Sequence, residues 1–238
     1  MDKKTKILIE VLIILVLCGP IVYNFIKNQT KENEKKYVIT NDSLNFEQEY
    51  EKLNKTVNSN NDKEYLTVEL SSYVPVKYSS YEEIFEIIEK GSGVIYFGFP
   101  ECPWCRNLVP VLAKSATDYG LDIIYYLNNR EDRDTKSLNK KGKVVTDKKG
   151  TENYNKLLEM LDDYLPEYKG LNNSKIKRLY FPTVLFVKDG KILGLEQSLS
   201  TYSERVDGDP YIPMNSEEKT ELANIFTEYY KQVQPKEK

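Results

Sequence analysis

The rhythm of hydrophobic and polar positions changes along this 238-residue chain. Ile7 to Ile26, "ILIEVLIILVLCGPIVYNFI", is almost uniformly apolar, interrupted by Glu10 and Asn24 and flanked by Lys6 and Lys27. About 20 such residues match the roughly 30 Å hydrocarbon core of a bilayer, so the pattern predicts a membrane anchor over 7–26 behind a short tail, 1–6. Residues 27–64 are polar and charged and predict a tether, with a short helix in "SLNFEQEYEKLN" (43–54). From Tyr65 the pattern tightens. "YLTVEL" (65–70) alternates and predicts a strand. Ser80 with Glu83 reads as a capping box opening a helix, "YEEIFEIIEK", that stops at Gly91. "GVIYFGF" (93–99) is a continuous apolar run of the kind buried on both faces.

A second helix is predicted from Cys102 to Tyr119, ending at Gly120, and then a buried strand, "LDIIYYL" (121–127). Residues 128–180 read as an insert: a charged, Gly-punctuated loop and one amphipathic helix at 152–165. "FPTVLFVKDGKILGLEQ" (181–197) predicts two strands joined at Asp189-Gly190. After a long loop (199–214), Asn215 and Glu218 cap a closing helix whose apolar face holds Leu222, Ile225, Phe226, Tyr229 and Val233. The order β-α-β-α-β, insert, β-β-α predicts one α/β domain over 65–233 with a mixed central sheet flanked by helices, and a tail over 234–238.

Composition narrows the chemistry. Net charge is −3 with both signs well mixed, which argues against a nucleic-acid partner. The chain has no histidine, so histidine acid/base catalysis, Ser-His and Cys-His nucleophiles and most zinc ligand sets are excluded. Of its 3 cysteines, Cys18 lies in the apolar stretch, leaving Cys102 and Cys105 as a pair in "ECPWCRN". "LVLC" (15–18) faintly resembles a lipoprotein signal that would lipidate Cys18, but Leu17 fits such a site poorly, and an uncleaved anchor is the better reading. Lysines lie on both sides of the span. The short basic tail before it favours a domain on the extracytoplasmic side.

Cys102 stands where a strand ends and a helix begins. Free N–H groups and the helix dipole there favour a thiolate. Pro103 suits the first helical turn, where its missing N–H costs nothing. Cys105 lies one turn on, placed to resolve a mixed disulfide that Cys102 forms. Trp104 between them offers a bulky apolar rim to a peptide substrate. A zinc site would need two further ligands. A purely structural bridge would stabilise little by closing so small a loop. The redox reading stands ahead of these, and of an incidental reduced pair.

Pro110 inside that helix and Pro182 at the head of "PTVLFVKDGKI" extend the pattern, and with them residues 65–233 resemble the thioredoxin superfamily. "VIYFGFPECPWCRN" followed by "VPVL" is most similar to the membrane-anchored, thioredoxin-like bacteriocin transport accessory proteins of Gram-positive bacteria. The resemblance implies a thioredoxin-like fold. It also implies a cis-proline at Pro182 beside the sulfurs, with Thr183 after it and the backbone of Phe181 pairing with substrate. It further implies a buried acid six residues before the first cysteine, where this chain has Tyr96. The inner thiol's proton is then left to Glu101 or a water, or resolution is slow. Glu101 would raise the Cys102 pKa by like-charge repulsion and Arg106 would offset it.

The expectation is a membrane-anchored, extracytoplasmic thiol–disulfide oxidoreductase that needs no cofactor beyond a redox-active Cys102–Cys105 pair. It would act on protein or peptide thiols and disulfides and be renewed by a membrane electron-transfer partner. The alternative is a non-catalytic accessory module binding a secreted peptide or transporter through the groove at Trp104 and Pro182. The insert reads more as solvated decoration than as part of that groove.

Overall fold

The structure, a computed structural model, describes residues 38–235. The apolar stretch at 7–26 lies outside them, as does Cys18. No helix among the described residues is long and apolar enough to cross a membrane.

Helix α1 (Asn41–Glu51) opens on a capping box, Thr40 and Ser43 each bonding the other's backbone N–H. Ser43, Phe46 and Tyr50 recur at helical spacing and are buried, with the Phe46 ring centroid 5.0 Å from that of Tyr126. The compact unit therefore begins at Val38 and not at Tyr65. A stretch that reads as tether carries a core-facing helix. A ribbon of β1 (Val57–Asn58) and β2 (Lys63–Glu64) follows.

"YLTVEL" is not a strand, despite its alternation. Side chains from elsewhere take its backbone groups: Asn54 Oδ1 accepts from Val68 N–H at 2.9 Å, Glu51 Oε1 from Leu70 N–H at 2.7 Å, and Arg106 Nε donates to Leu66 O at 2.7 Å. The edge strand is instead β3 (Val76–Tyr78).

Helix α2 (Tyr81–Lys90) is capped by Ser80, which takes the Glu83 N–H, and stops at Gly91. Strand β4 (Gly93–Phe97) is buried at every position. Helix α3 (Pro103–Tyr119) runs through Pro110 and ends at Gly120 with φ 83°, a left-handed conformation that favours glycine. Then come β5 (Ile124–Leu127) and the insert. The charged stretch of the insert is a hairpin, β6 (Thr135–Leu138) with β7 (Val144–Lys148). Helix α4 (Glu152–Met160) is shorter than its pattern suggests, yet it buries Tyr154 and Leu157, and the turn after it buries Leu161 and Leu165.

Strands β8 (Thr183–Lys188) and β9 (Lys191–Glu196) meet at Asp189-Gly190, both at positive φ (49° and 72°). The expected long loop holds a short helix, α5 (Ser200–Arg205). Helix α6 (Ser216–Val233) has the full Asn215–Glu218 capping box and buries Leu222, Phe226, Tyr230 and Val233, with Ile225 and Tyr229 flanking.

The main sheet has the order β3-β5-β4-β8-β9. β5 is parallel to β3 and to β4, while β8 is antiparallel to β4 and to β9. The fold is thus mixed α/β with a five-stranded mixed sheet. Helices α3 and α6 pack together, and α6 lies over β8 and β4. Because β4 and β8 run in opposite directions, Phe97 at the end of β4 pairs with Thr183 at the start of β8. That register brings the segments leaving these two residues to the same end of the sheet.

Candidate active site at the Cys102–Cys105 turn

Four residues past Phe97 the chain reaches Glu101, and Cys102 then caps α3 in an extended conformation (φ −76°, ψ 115°). Its Sγ accepts the Cys105 N–H at 3.4 Å, as an N-cap side chain does, with Pro103 in the first turn. On the β8 side, the Phe181–Pro182 peptide bond is cis. Cys102 Sγ lies 3.6 Å from the Phe181 carbonyl oxygen, to which its thiol donates. Thr183 holds this turn in shape: its Oγ1 donates to Tyr180 O at 2.7 Å and accepts from Gln197 Nε2 at 3.0 Å. The register of the sheet thus brings Cys102, Cys105, Phe181, Pro182 and Thr183 to one place.

Both cysteines are free thiols and they differ in setting. Cys102 is 6% exposed and Cys105 is fully buried. Burial opposes the Cys102 thiolate. The Cys105 thiol, the N–H groups of Cys105 and Trp104, and the charge of Arg133 outweigh it and hold the Cys102 thiol below its ordinary pKa. Burial pushes Cys105 well up, as does the neighbouring Cys102 sulfur. One thiol is biased to ionise and the other to keep its proton.

Tyr96, in the position where the resemblance implies an acid, is fully buried, and its hydroxyl lies 2.7 Å from that of Tyr50 on α1. Its side chain also acts on Cys105, favouring the ionised form of that thiol.

Arg106 does not sit where its expected role requires. It is 1% exposed and turned toward α1, donating to Leu66 O, Tyr50 O, Pro100 O and Asn54 Oδ1 at 2.6–3.2 Å. Four acceptors for one guanidinium make it a tie between α3, α1 and the 65–70 segment. Glu101 faces Arg130 at 3.7 Å. A cation that acts on Cys102 is Arg133, from the insert, whose guanidinium carbon stands 4.3 Å over the Phe181 ring. No sequence signal marks Arg133. It lies in a charged stretch with no motif, and only the fold brings it to the sulfur.

Trp104 is half-buried and meets Tyr202 of α5 edge-on, with ring centroids 5.6 Å apart. It forms one wall of an open groove of about 430 Å³, shared with Phe181 and Pro182 and with Pro166, Lys169 and Tyr180 of the insert. The insert is therefore not merely decoration, since it supplies groove wall as well as Arg133. No protein-family model matches the chain, and no curated protein matches it.

Proposed function

We propose that this protein is a thiol–disulfide oxidoreductase on a thioredoxin-like fold, held by residues 7–26 to the extracytoplasmic face of a membrane. The observation that carries the reading is the asymmetry of the dithiol. Cys102 caps α3 with its sulfur accepting the Cys105 N–H at 3.4 Å and its thiol lowered in pKa, while Cys105 behind it is fully buried and raised. Strand order and the neighbouring proline turn support the thioredoxin-like assignment, and the membrane placement rests on the apolar stretch alone.

In the reductive direction the Cys102 thiolate attacks one sulfur of a substrate disulfide. A Cys102–substrate bond forms, and the other substrate sulfur leaves as a thiolate that takes a proton. Cys105 then loses its proton and attacks Cys102 Sγ. The mixed disulfide breaks, the Cys102–Cys105 bond forms, and two electrons have passed from protein to substrate. The same steps in reverse oxidise a substrate dithiol. Phe181 C=O and the groove beside Trp104 hold the substrate backbone against Cys102. The dithiol carries both electrons, so the reading calls on no organic cofactor.

The test is turnover of insulin or a peptide disulfide by the full-length chain with dithiothreitol as electron source. Cys102→Ser is expected to abolish it, and Cys105→Ser to stop it at a trapped mixed disulfide. Undiminished turnover by Cys102→Ser would refute the proposal.

A further inference from the structure

Two arginines between β5 and β8 form no ion pair with a carboxylate among the described residues. Arg133 is half-buried against the Phe181 ring, and its Nε is buried with no hydrogen-bond partner. Arg178 is 9% exposed, with its guanidinium carbon 4.1 Å over the Tyr168 ring and 5.7 Å from the Tyr180 ring centre, and its Nη1 is likewise buried and unpartnered. The acidic residues nearby are engaged elsewhere. Glu131 lies 3.7 Å from both Arg130 and Lys148, Asp132 accepts from the Tyr81 hydroxyl at 3.1 Å, and Asp134, whose buried carboxylate oxygens accept no hydrogen bond, is paired in charge with Lys136.

Burial disfavours the charged form of Arg133, and the neighbouring positive charge of Arg178 adds to this. Burying one unpaired cation is costly, and setting a second beside it costs more. Stacking on an aromatic ring occupies the face of a guanidinium and leaves its edge N–H groups free for an acceptor in the plane, and a carboxylate suits that fork best. The Cys102 thiolate answers part of the Arg133 charge. It leaves Arg178 unaccounted for.

We infer that Arg133 and Arg178 form a carboxylate-binding subsite beside Cys102 and that the peptide lying in the groove carries an acidic side chain next to its reactive cysteine. Phe181 links the two halves of the site. Its carbonyl faces Cys102 Sγ, its ring supports Arg133, and it lines the groove, where Lys169 adds a further cation. A chain running past the Phe181 backbone brings the side chain flanking its cysteine to the edges of the arginines. The inference rests on the oxidoreductase reading only in making this peptide the substrate.

The test separates binding from turnover, using the full-length chain at low ionic strength. A short peptide with Asp on each side of a serine that replaces the cysteine is titrated calorimetrically, beside a twin with Asn for each Asp. The Asp peptide is expected to bind about tenfold tighter, as charge-assisted hydrogen bonds imply. That preference is expected to vanish in Arg178→Gln and to survive in part in Arg178→Lys, which keeps the charge without the fork. Equal affinity of the two peptides for the unaltered chain overturns the subsite, and so does a preference that persists in Arg178→Gln. Tight binding of inorganic phosphate with no preference between the peptides assigns the arginines to a free anion and also overturns it. Disulfide forms of both peptides are then assayed for turnover. If neither turns over while the Asp preference holds, the oxidoreductase reading fails and the carboxylate subsite stands.

Discussion

The hydroxyls of Tyr50 and Tyr96 lie 2.7 Å apart in the buried centre of the molecule, one from α1 and the other from the middle strand of the sheet. Burial drives both phenols well above their ordinary pKa, so neither serves as a base near neutral pH. What the pair offers is a hydroxyl on Tyr96, held in place by Tyr50, that favours the ionised form of Cys105.

Removing one hydroxyl or the other is expected to separate stability from rate. Tyr50→Phe leaves the buried Tyr96 hydroxyl short of a partner and should cost about 1–3 kcal/mol in denaturant unfolding. Tyr96→Phe removes the hydroxyl that favours the Cys105 thiolate. It should slow resolution of the mixed disulfide by up to about tenfold, seen as mixed disulfide accumulating in quenched reactions. Unchanged resolution in Tyr96→Phe would remove the tyrosine pair from the mechanism.

The pH dependence has a definite sign. The Cys102 thiol is lowered from an ordinary 9.0, so iodoacetamide should alkylate Cys102 at pH values below that range, while the raised Cys105 stays protected. By linkage, a lowered pKa gives the dithiol form a stability contribution that is complete above the ordinary thiol value and lost as pH falls through the folded value. Alkylation of both cysteines with one onset near 9 would contradict this asymmetry.

The role that the sequence suggests for Arg106 falls to Arg133, while Arg106 ties α3 to α1 and the 65–70 segment. Arg133→Gln should move the onset of Cys102 alkylation to higher pH, since it removes a cation acting on the thiolate. Arg106→Gln leaves buried carbonyls unsatisfied across α1, α3 and the 65–70 segment, and should destabilise the fold by roughly 3–5 kcal/mol. Thermal and denaturant unfolding, read beside the alkylation profile, tell the two apart.

Trp104→Ala and Cys102→Ser distinguish an enzyme from a binding module. An oxidoreductase loses turnover entirely with Cys102→Ser and only part of it with Trp104→Ala, which trims the groove wall next to Tyr202. A binding module shows the reverse, tolerating the serine and losing its ligand with the alanine. Peptide titration of both variants beside the turnover assay reads the difference.

The parts of this fold legible in the sequence are those whose signals are local. Ser80 and Gly91 bound α2, the uninterrupted apolar run of 93–97 is the fully buried β4, and Asp189-Gly190 turns β8 into β9. The cysteine turn belongs with these, since its geometry follows from a strand end, a helix start and a proline between. What stayed hidden depends on distant partners. "YLTVEL" has strand alternation, but its backbone groups are claimed by Asn54, Glu51 and Arg106, which are near only after folding. The helix over 43–54 is legible but its docking on the core is not, since α1 buries just Ser43, Phe46 and Tyr50, a narrow face in a polar stretch. Arg133 reaches Cys102 through the path of the insert, which carries no motif.

The central claim is that Cys102 and Cys105 exchange a disulfide with substrates, and the reduction potential of the pair tests it most directly. The full-length chain is equilibrated against glutathione and dithiothreitol, and the fraction of free thiol is read by alkylation. The account predicts a potential between roughly −120 and −270 mV, the span of working exchange catalysts, with the value within it setting the direction of electron flow. A pair that stays oxidised below about −300 mV would be a structural bridge and would contradict the account.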